Sequence, residues 1–140
     1  LIGPDAEKAG TILHGTEAVL ATTESTIPWT TVMIRKSFGV AAAAHYGPDG
    51  YVLAWPSAES GPLPLEGGVA VAFKKEISEA EDPEAKRKEL EEKMAKNQNP
   101  FPRAEAFSVH EIIDPRETRK YISLWAERIQ SQLKASLMSR

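Results

Sequence analysis

The residues most able to do chemistry lie in Thr31–His45, TVMIRKSFGVAAAAH. Val32, Met33 and Ile34 form a short apolar run of strand type. A Lys36-Ser37-Phe38-Gly39 turn follows, then Val40 and the alanines Ala41, Ala42, Ala43 and Ala44. Glycine lets the backbone turn sharply, and the small side chains leave the main chain uncrowded. A strand that ends in a glycine turn and opens a helix presents N–H groups with no preceding turn to accept them. Such donors, at the positive end of a helix, suit an oxyanion. The same residues also suit a helix of small side chains packed tightly on a sheet.

Side-chain chemistry is sparse around this segment. The histidines His14, His45 and His110 are scattered, and the string HEIID at His110 lacks the second histidine of the HExxH zinc signature. Cysteine is absent, which excludes disulfides, cysteine nucleophiles and thiolate metal sites. No metal site is expected. His45, just past the glycine turn, reads as a structural hydrogen-bonding residue. Ser37, Ser57 and Ser60 lack a GxSxG context, and Gly67-Gly68 lacks the Lys-Ser/Thr of a phosphate-binding loop.

The elements that must position this segment can be read from periodicity and punctuation. Asp5–Ser25 is expected as one helix, capped by Asp5, with Ala9, Ile12, Leu13, Thr16, Val19, Leu20 and Thr23 on one face. A strand is expected over Trp29–Arg35, a turn at Gly47–Gly50, and a second strand over Tyr51–Trp55. Pro56–Pro64 reads as irregular. Leu65–Ala80 reads as helical, with Val69, Val71, Ala72, Phe73 and Ile77 buried. Asp82-Pro83-Glu84 is a strong helix start, and the helix runs to about Lys96 with little apolar content beyond Leu90 and Met94. Its alternating charges fit a solvated face laced with i,i+4 pairs, or a docking surface. Asn99-Pro100-Phe101-Pro102 is expected to break that helix, with a short helix over Ala104–Ser108 and a short strand or turn over Val109–Ile113. Asp114-Pro115-Arg116-Glu117 opens the last helix, Glu117 closing a capping box, and Ile122, Trp125, Ile129, Leu133 and Leu137 give it an apolar stripe.

Composition bounds the function. The chain of 140 residues carries a net charge of −3, which leaves no electrostatic footprint for nucleic acid. No apolar run is long enough to span a bilayer and no signal peptide is visible, so a cytoplasmic protein is expected. Leu1-Ile2-Gly3-Pro4 reads as the exit of a strand that begins earlier, which makes the chain a fragment.

Four stretches, in order, carry a resemblance: GPDAEKAGTILHG, IPWTTVMIRKSFGVAAAAH, LAWPSAESGPLPLEGGVAVAF and EIIDPRETR. The chain resembles the C-terminal domain of the carboxyltransferase β-subunits of biotin-dependent acyl-CoA carboxylases, the propionyl-CoA carboxylase type. The resemblance implies an α/β fold, a crotonase/ClpP-like spiral of ββα units, with residues 1–140 forming the C-terminal part of that domain and the N-terminal domain absent. It implies transfer of a carboxyl group from carboxybiotin to the α-carbon of a short acyl-CoA. In that chemistry the cofactor supplies the base, and the protein supplies position and anion stabilisation.

The resemblance also assigns residues. The backbone N–H groups of Val40 and Ala41 correspond to the oxyanion hole for the biotin carbonyl, which in the family follows a Lys-x-Tyr-Gly-Gly-Ala pattern. Lys36, Phe38 and Gly39 match that pattern, with Phe38 in place of the tyrosine and Val40 in place of the second glycine. A β-branched valine does not accept positive φ and adds bulk where biotin approaches. Phe38, Gly39 and Ala43 correspond to biotin- and acyl-binding positions. Trp55–Glu59 and the loop after it lie near the same cleft in the family, and serve as loop scaffolding equally well. Glu111–Arg119 is a family hallmark whose physics is helix capping. The expected partners are the acyl-CoA substrate, a biotin carboxyl carrier, a biotin carboxylase subunit and further copies of the chain. The alternatives are a non-catalytic assembly module of the same fold and a biotin-dependent acyl-CoA decarboxylase subunit.

Overall fold

Two ladders of parallel strands organise the molecule, and a computed structural model describes residues 3–138 of it. The first ladder contains β1 (Thr30–Met33), β3 (Tyr51–Ala54) and β5 (Glu111–Ile112), in the order β1-β3-β5. The second pairs β2 (Lys36–Phe38) with β4 (Glu59–Gly61). Each long strand therefore starts in one ladder and continues into the other. The register shifts by two residues across the bend: Met33 faces Ala54 in the first ladder, and Lys36 faces Glu59 in the second. The bend itself is stitched by Trp55 N–H on the Met33 carbonyl and Glu59 N–H on the Arg35 carbonyl, each at 2.9 Å.

Parallel neighbours need a crossover between them. The first is short: α3 (Gly39–Ala43) and a 3-10 turn at Ala44–Tyr46. The second is long: α4 (Leu65–Ala72), α5 (Lys74–Ser78), α6 (Pro83–Ala95) and α7 (Pro100–Glu105). Strand, strand and helix thus repeat, which is the ββα pattern expected, within an α/β fold. The chain enters through α1 (Pro4–Lys8) and α2 (Thr11–Thr23) and leaves through α8 (Thr118–Met138).

The core sits on the first ladder. Met33, Val52, Ala54, Ala58 and Val109 pack together, and Tyr46, Ala104 and Ile112 lie against them. Within the long crossover, Val69 of α4 and Leu90 of α6 are buried.

Several expectations need correction. The first helix is two, because Gly10 takes a left-handed conformation (φ 80°), and Asp5 does not cap it: Gly3 precedes the first turn and Pro4 opens it. Of the strand exit read at the start, Leu1 and Ile2 lie outside the described residues. In α2 only Val19 of the apolar face is part-buried, and Ile12 (71 %), Leu13 (62 %) and Leu20 (55 %) remain exposed. Lys36–Phe38 is a strand rather than a turn, and the irregular stretch contains its partner β4. Leu65–Ala80 breaks at Phe73, and Val71 is exposed rather than buried. α6 ends at Ala95, ahead of Asn99, and the short helix that follows is Pro100–Glu105 rather than Ala104–Ser108, with the Asn99 side chain accepting from Phe101 N–H at 3.1 Å and Pro100 at the first position. Asp82 caps α6 as read, accepting from Glu84 and Ala85 N–H at 3.0 Å. In the last helix the side chain of Leu137 lies outside the described residues.

Candidate functional site

The glycine turn of the opening analysis sits where β2 runs into α3. Gly39 has φ 73°, a conformation that an L side chain rarely adopts. Phe38 before it is extended, and its side chain makes no capping bond. Val40 and Ala41 therefore occupy the first turn of a helix that follows a strand, with no helical turn before it. Among the described residues no group accepts from the N–H of either. Val40 itself is not among the residues with positive φ. The strained backbone is borne by Gly39, so the valine meets no conformational objection.

A cleft of about 570 Å³ opens beside this turn. Its walls are β1, β2 and the bend between them, including Arg35, Lys36 and Phe38, and its floor is Ala41 and Ala42, with His45 and Tyr46 beyond. A second hollow of about 180 Å³ lies on the other side of α3, where Val40 and Ala43 face Val19, Thr22 and Thr23 of α2. The five assigned residues are thus divided. Phe38 and Ala41 share the larger cleft, Val40 and Ala43 share the smaller one, and Gly39 lies between them, close to the Pro62 carbonyl.

Side chains hold α3 from its far end. Thr31 Oγ1 donates to the His45 carbonyl at 2.6 Å. Tyr46 Oη lies 2.9 Å from Ser37 Oγ and 3.3 Å from Met33 Sδ. Sequence reasoning singled out none of Thr31, Ser37 and Tyr46 in these roles. The available signal was polar residues placed within an otherwise apolar and small-residue segment. The Trp55–Glu59 loop serves as scaffold: Trp55 Nε1 donates to Thr118 Oγ1 at 2.9 Å and Ser57 Oγ to the Ile34 carbonyl at 2.7 Å. His14 pairs with Glu17 on the surface at 3.2 Å.

A second cluster of titratable groups lies around β5. Tyr51 Oη donates to Glu111 Oε1 at 2.7 Å. Burial, reinforced by that bond to Glu111, pushes the Tyr51 phenol up to about 12. Tyr121 is raised as well, chiefly through its own hydrogen bond to Glu111. His110 Nδ1 accepts the Val52 N–H at 3.0 Å, tying β5 to β3. Asp114 caps the turn before α8, accepting from Arg116 N–H at 2.8 Å. The Arg116 side chain also donates to it and holds its carboxyl below the usual range. Glu117 turns to Lys120 at 2.9 Å, where a capping box had been expected.

Comparison with known proteins places this architecture. The carboxyl transferase domain family matches residues 1–138. The carboxyltransferase subunit of propionyl-CoA carboxylase from Haloferax mediterranei is 35 % identical over 140 residues, covering 96 % of this chain and 27 % of that protein. The methylmalonyl-CoA carboxyltransferase 12S subunit of Propionibacterium freudenreichii is 39 % identical over 127 residues, 88 % of this chain and 24 % of that one. The crystal structure of transcarboxylase 12S, a hexamer with methylmalonyl-coenzyme A and methylmalonic acid bound, superposes with a TM-score of 0.81 at 37 % identity, covering 94 % of this chain and 26 % of that one. The chain belongs to the carboxyl transferase domain family. It spans about a quarter of the length of the curated relatives it matches.

Proposed function

We propose that this chain is the biotin-side part of a carboxyltransferase that moves a carboxyl group between carboxybiotin and the α-carbon of a short acyl-CoA. The observation that carries the reading is the start of α3. Among the described residues the Val40 and Ala41 N–H groups have no acceptor, and Ala41 opens onto a cleft walled by Phe38. The donor set fits the polar end of biotin, because a ureido carbonyl is an acceptor that gains negative charge when its nitrogen loses the carboxyl group. Bound there, carboxybiotin supplies both the carboxyl group and the base for the acyl α-proton.

The chain's own part is electrostatic. Donors fixed by a rigid turn need no reorganisation as charge develops, and each such donor is worth about 100-fold or more in rate. The small alanines let a ring approach the main chain closely. Phe38 offers an apolar wall, and the hollow at Ala43 suits a short or branched acyl chain. Coenzyme A would be held by residues beyond this chain, in keeping with its share of its relatives' length. Exposed Ile12, Leu13 and Leu20 on α2 support burial against a further copy or domain. Among the described residues no helix is long and apolar enough to cross a membrane. A cytoplasmic complex with a biotin carrier and a biotin carboxylase subunit completes the reading.

The test uses the intact polypeptide that carries this segment, with methylmalonyl-CoA as carboxyl donor and free biotin as acceptor. Biotin-dependent formation of propionyl-CoA is expected. No transfer to biotin with any of methylmalonyl-, ethylmalonyl- or malonyl-CoA would overturn it.

A further inference from the structure

A hydrogen-bonded chain crosses the larger cleft and ends in the core. Met33 closes β1 and is 4 % exposed. Its thioether only accepts, so the Tyr46 hydroxyl gives its single proton to Met33 Sδ at 3.3 Å. Tyr46 Oη is then left as an acceptor, and Ser37 Oγ donates to it at 2.9 Å. The direction is therefore set: Ser37 to Tyr46 to Met33. Ser37 lies two residues before Gly39, and Tyr46 ends the 3-10 turn that continues α3. The chain thus clamps both ends of the segment that carries the unpaired N–H groups of Val40 and Ala41. Thr31, donating to the His45 carbonyl at 2.6 Å, fixes the same end from β1.

We propose that Tyr46 is a positioning residue for carboxyl transfer, its hydroxyl holding α3 so that the N–H groups at its start point into the cleft through Ser37 and Met33. The inference rests on the oxyanion reading given above. The physical reason is the size of the helix. With five residues α3 has little cohesion of its own, because helices this short are marginal without tertiary support. Its orientation is set by whatever holds its ends. Gly39 is the flexible joint on one side, and Tyr46 is the polar anchor on the other.

The experiment compares the intact polypeptide with its Tyr46→Phe and Ser37→Ala variants and the double variant. Phenylalanine keeps the ring packed on the core and removes only the hydroxyl. Two readouts are taken: hydrogen–deuterium exchange of peptides covering 36–46, and steady-state transfer from methylmalonyl-CoA to free biotin. Each single variant should speed exchange in 36–46 and lower kcat about tenfold, with KM for the acyl-CoA changed by less than about twofold. The double variant should be no slower than the worse single one, since both break the same chain. Unchanged exchange in 36–46 overturns the proposal whatever the kinetics. Faster exchange with unchanged kcat makes Tyr46 a packing residue and also overturns it. If the unaltered polypeptide transfers nothing while exchange responds as expected, the clamp stands and the carboxyltransfer reading is the part that fails.

Discussion

Two helix starts in this molecule follow opposite rules. At Asp114 each polar group has a partner: the carboxylate takes the Arg116 N–H and its guanidinium, and the Asp114 carbonyl takes the Glu117 N–H. At Phe38 no side chain caps, and among the described residues the Val40 and Ala41 N–H groups have no acceptor. A missing cap is not a signal by itself, since α4 starts after Pro64 without one. What sets α3 apart is the cleft over its first turn and the clamps beneath its last. Around α3 the polar side chains of Thr31, Ser37 and Tyr46 are spent on holding the scaffold, and the residues of its first turns, Gly39–Ala43, carry no polar side chain. That division suits a reaction in which the cofactor brings the base and the protein brings a fixed field.

The comparison breaks most readily at Gly39. Gly39→Ala meets no steric bar, because the nearest atom to a new Cβ is the Pro62 carbonyl oxygen at 3.7 Å. The cost lies in the backbone, about 1–2 kcal/mol at φ 73°. The chain relieves it by rotating, which re-aims the N–H groups that follow. Misplacement by about 1 Å costs roughly 100-fold in rate. A fall in kcat of that order is expected, with a modest fall in Tm. Full activity in this variant would remove the oxyanion role from the turn.

The other helix start should respond in the opposite sense. Asp114→Ala removes the acceptor for Arg116 N–H and its side chain, far in function from the cleft. Thermal unfolding should shift down by a few degrees, as for loss of an N-cap, while transfer kinetics stay as they were. A kinetic loss without a stability loss would place Glu111–Arg119 in the chemistry after all.

The two starts also differ in how far they could be read from residues alone. Asp-Pro announces a helix locally, and Asp82 and Asp114 both cap as their sequences say. Asn99-Pro100 carries a similar cap signal, and α7 starts there. β4 was hidden because Glu59-Ser60-Gly61 has poor strand propensity. It is a strand because Lys36–Phe38 lies beside it in register, a tertiary cause no window of sequence contains. The glycine turn and the small residues after it were legible. The clamp through Ser37, Tyr46 and Met33 was not, since it depends on how the chain returns after the turn. The exposure of Ile12, Leu13 and Leu20 was equally out of reach. Periodicity finds an apolar face without saying what covers it.

The β5 corner offers a pH test of the scaffold that the cleft should ignore. The folded Tyr51 phenol holds its proton to about 12, against an ordinary 10.0. Its contribution to stability is therefore complete below about pH 10 and is lost as pH rises toward about 12. Tyr51→Phe should flatten the alkaline decline of Tm in that window. The flattening is partial, because Tyr121 shares Glu111 and is raised in the same direction. An unaltered alkaline profile in the variant would mean that burial and Glu111 do not raise the Tyr51 phenol in solution.

The smallest effect is expected at Val40, and it sharpens the comparison most finely. The family pattern has glycine here, and two consequences of valine compete. Its Cβ branch adds bulk at the mouth of the donor pair. Its backbone, however, takes no positive φ, so the N–H is already where a helix start places it. The side chain is 74 % exposed and faces Val19 and Thr22 across the smaller hollow rather than Phe38 across the larger one. Val40→Gly therefore removes bulk from the side away from the cleft floor and adds chain entropy, about 0.5–1 kcal/mol in a helix interior and less in a first turn. With donors already in position, the gain in transfer to free biotin should stay within a few-fold, accompanied by a slight fall in Tm. The measurement is kcat and the KM for biotin in both variants of the intact polypeptide. A rise of about 100-fold would show that valine obstructs the donors and that the cofactor approaches from the α2 side. No change in either constant, with stability falling as stated, would leave Ala41 as the donor that matters and Val40 as a residue the site tolerates.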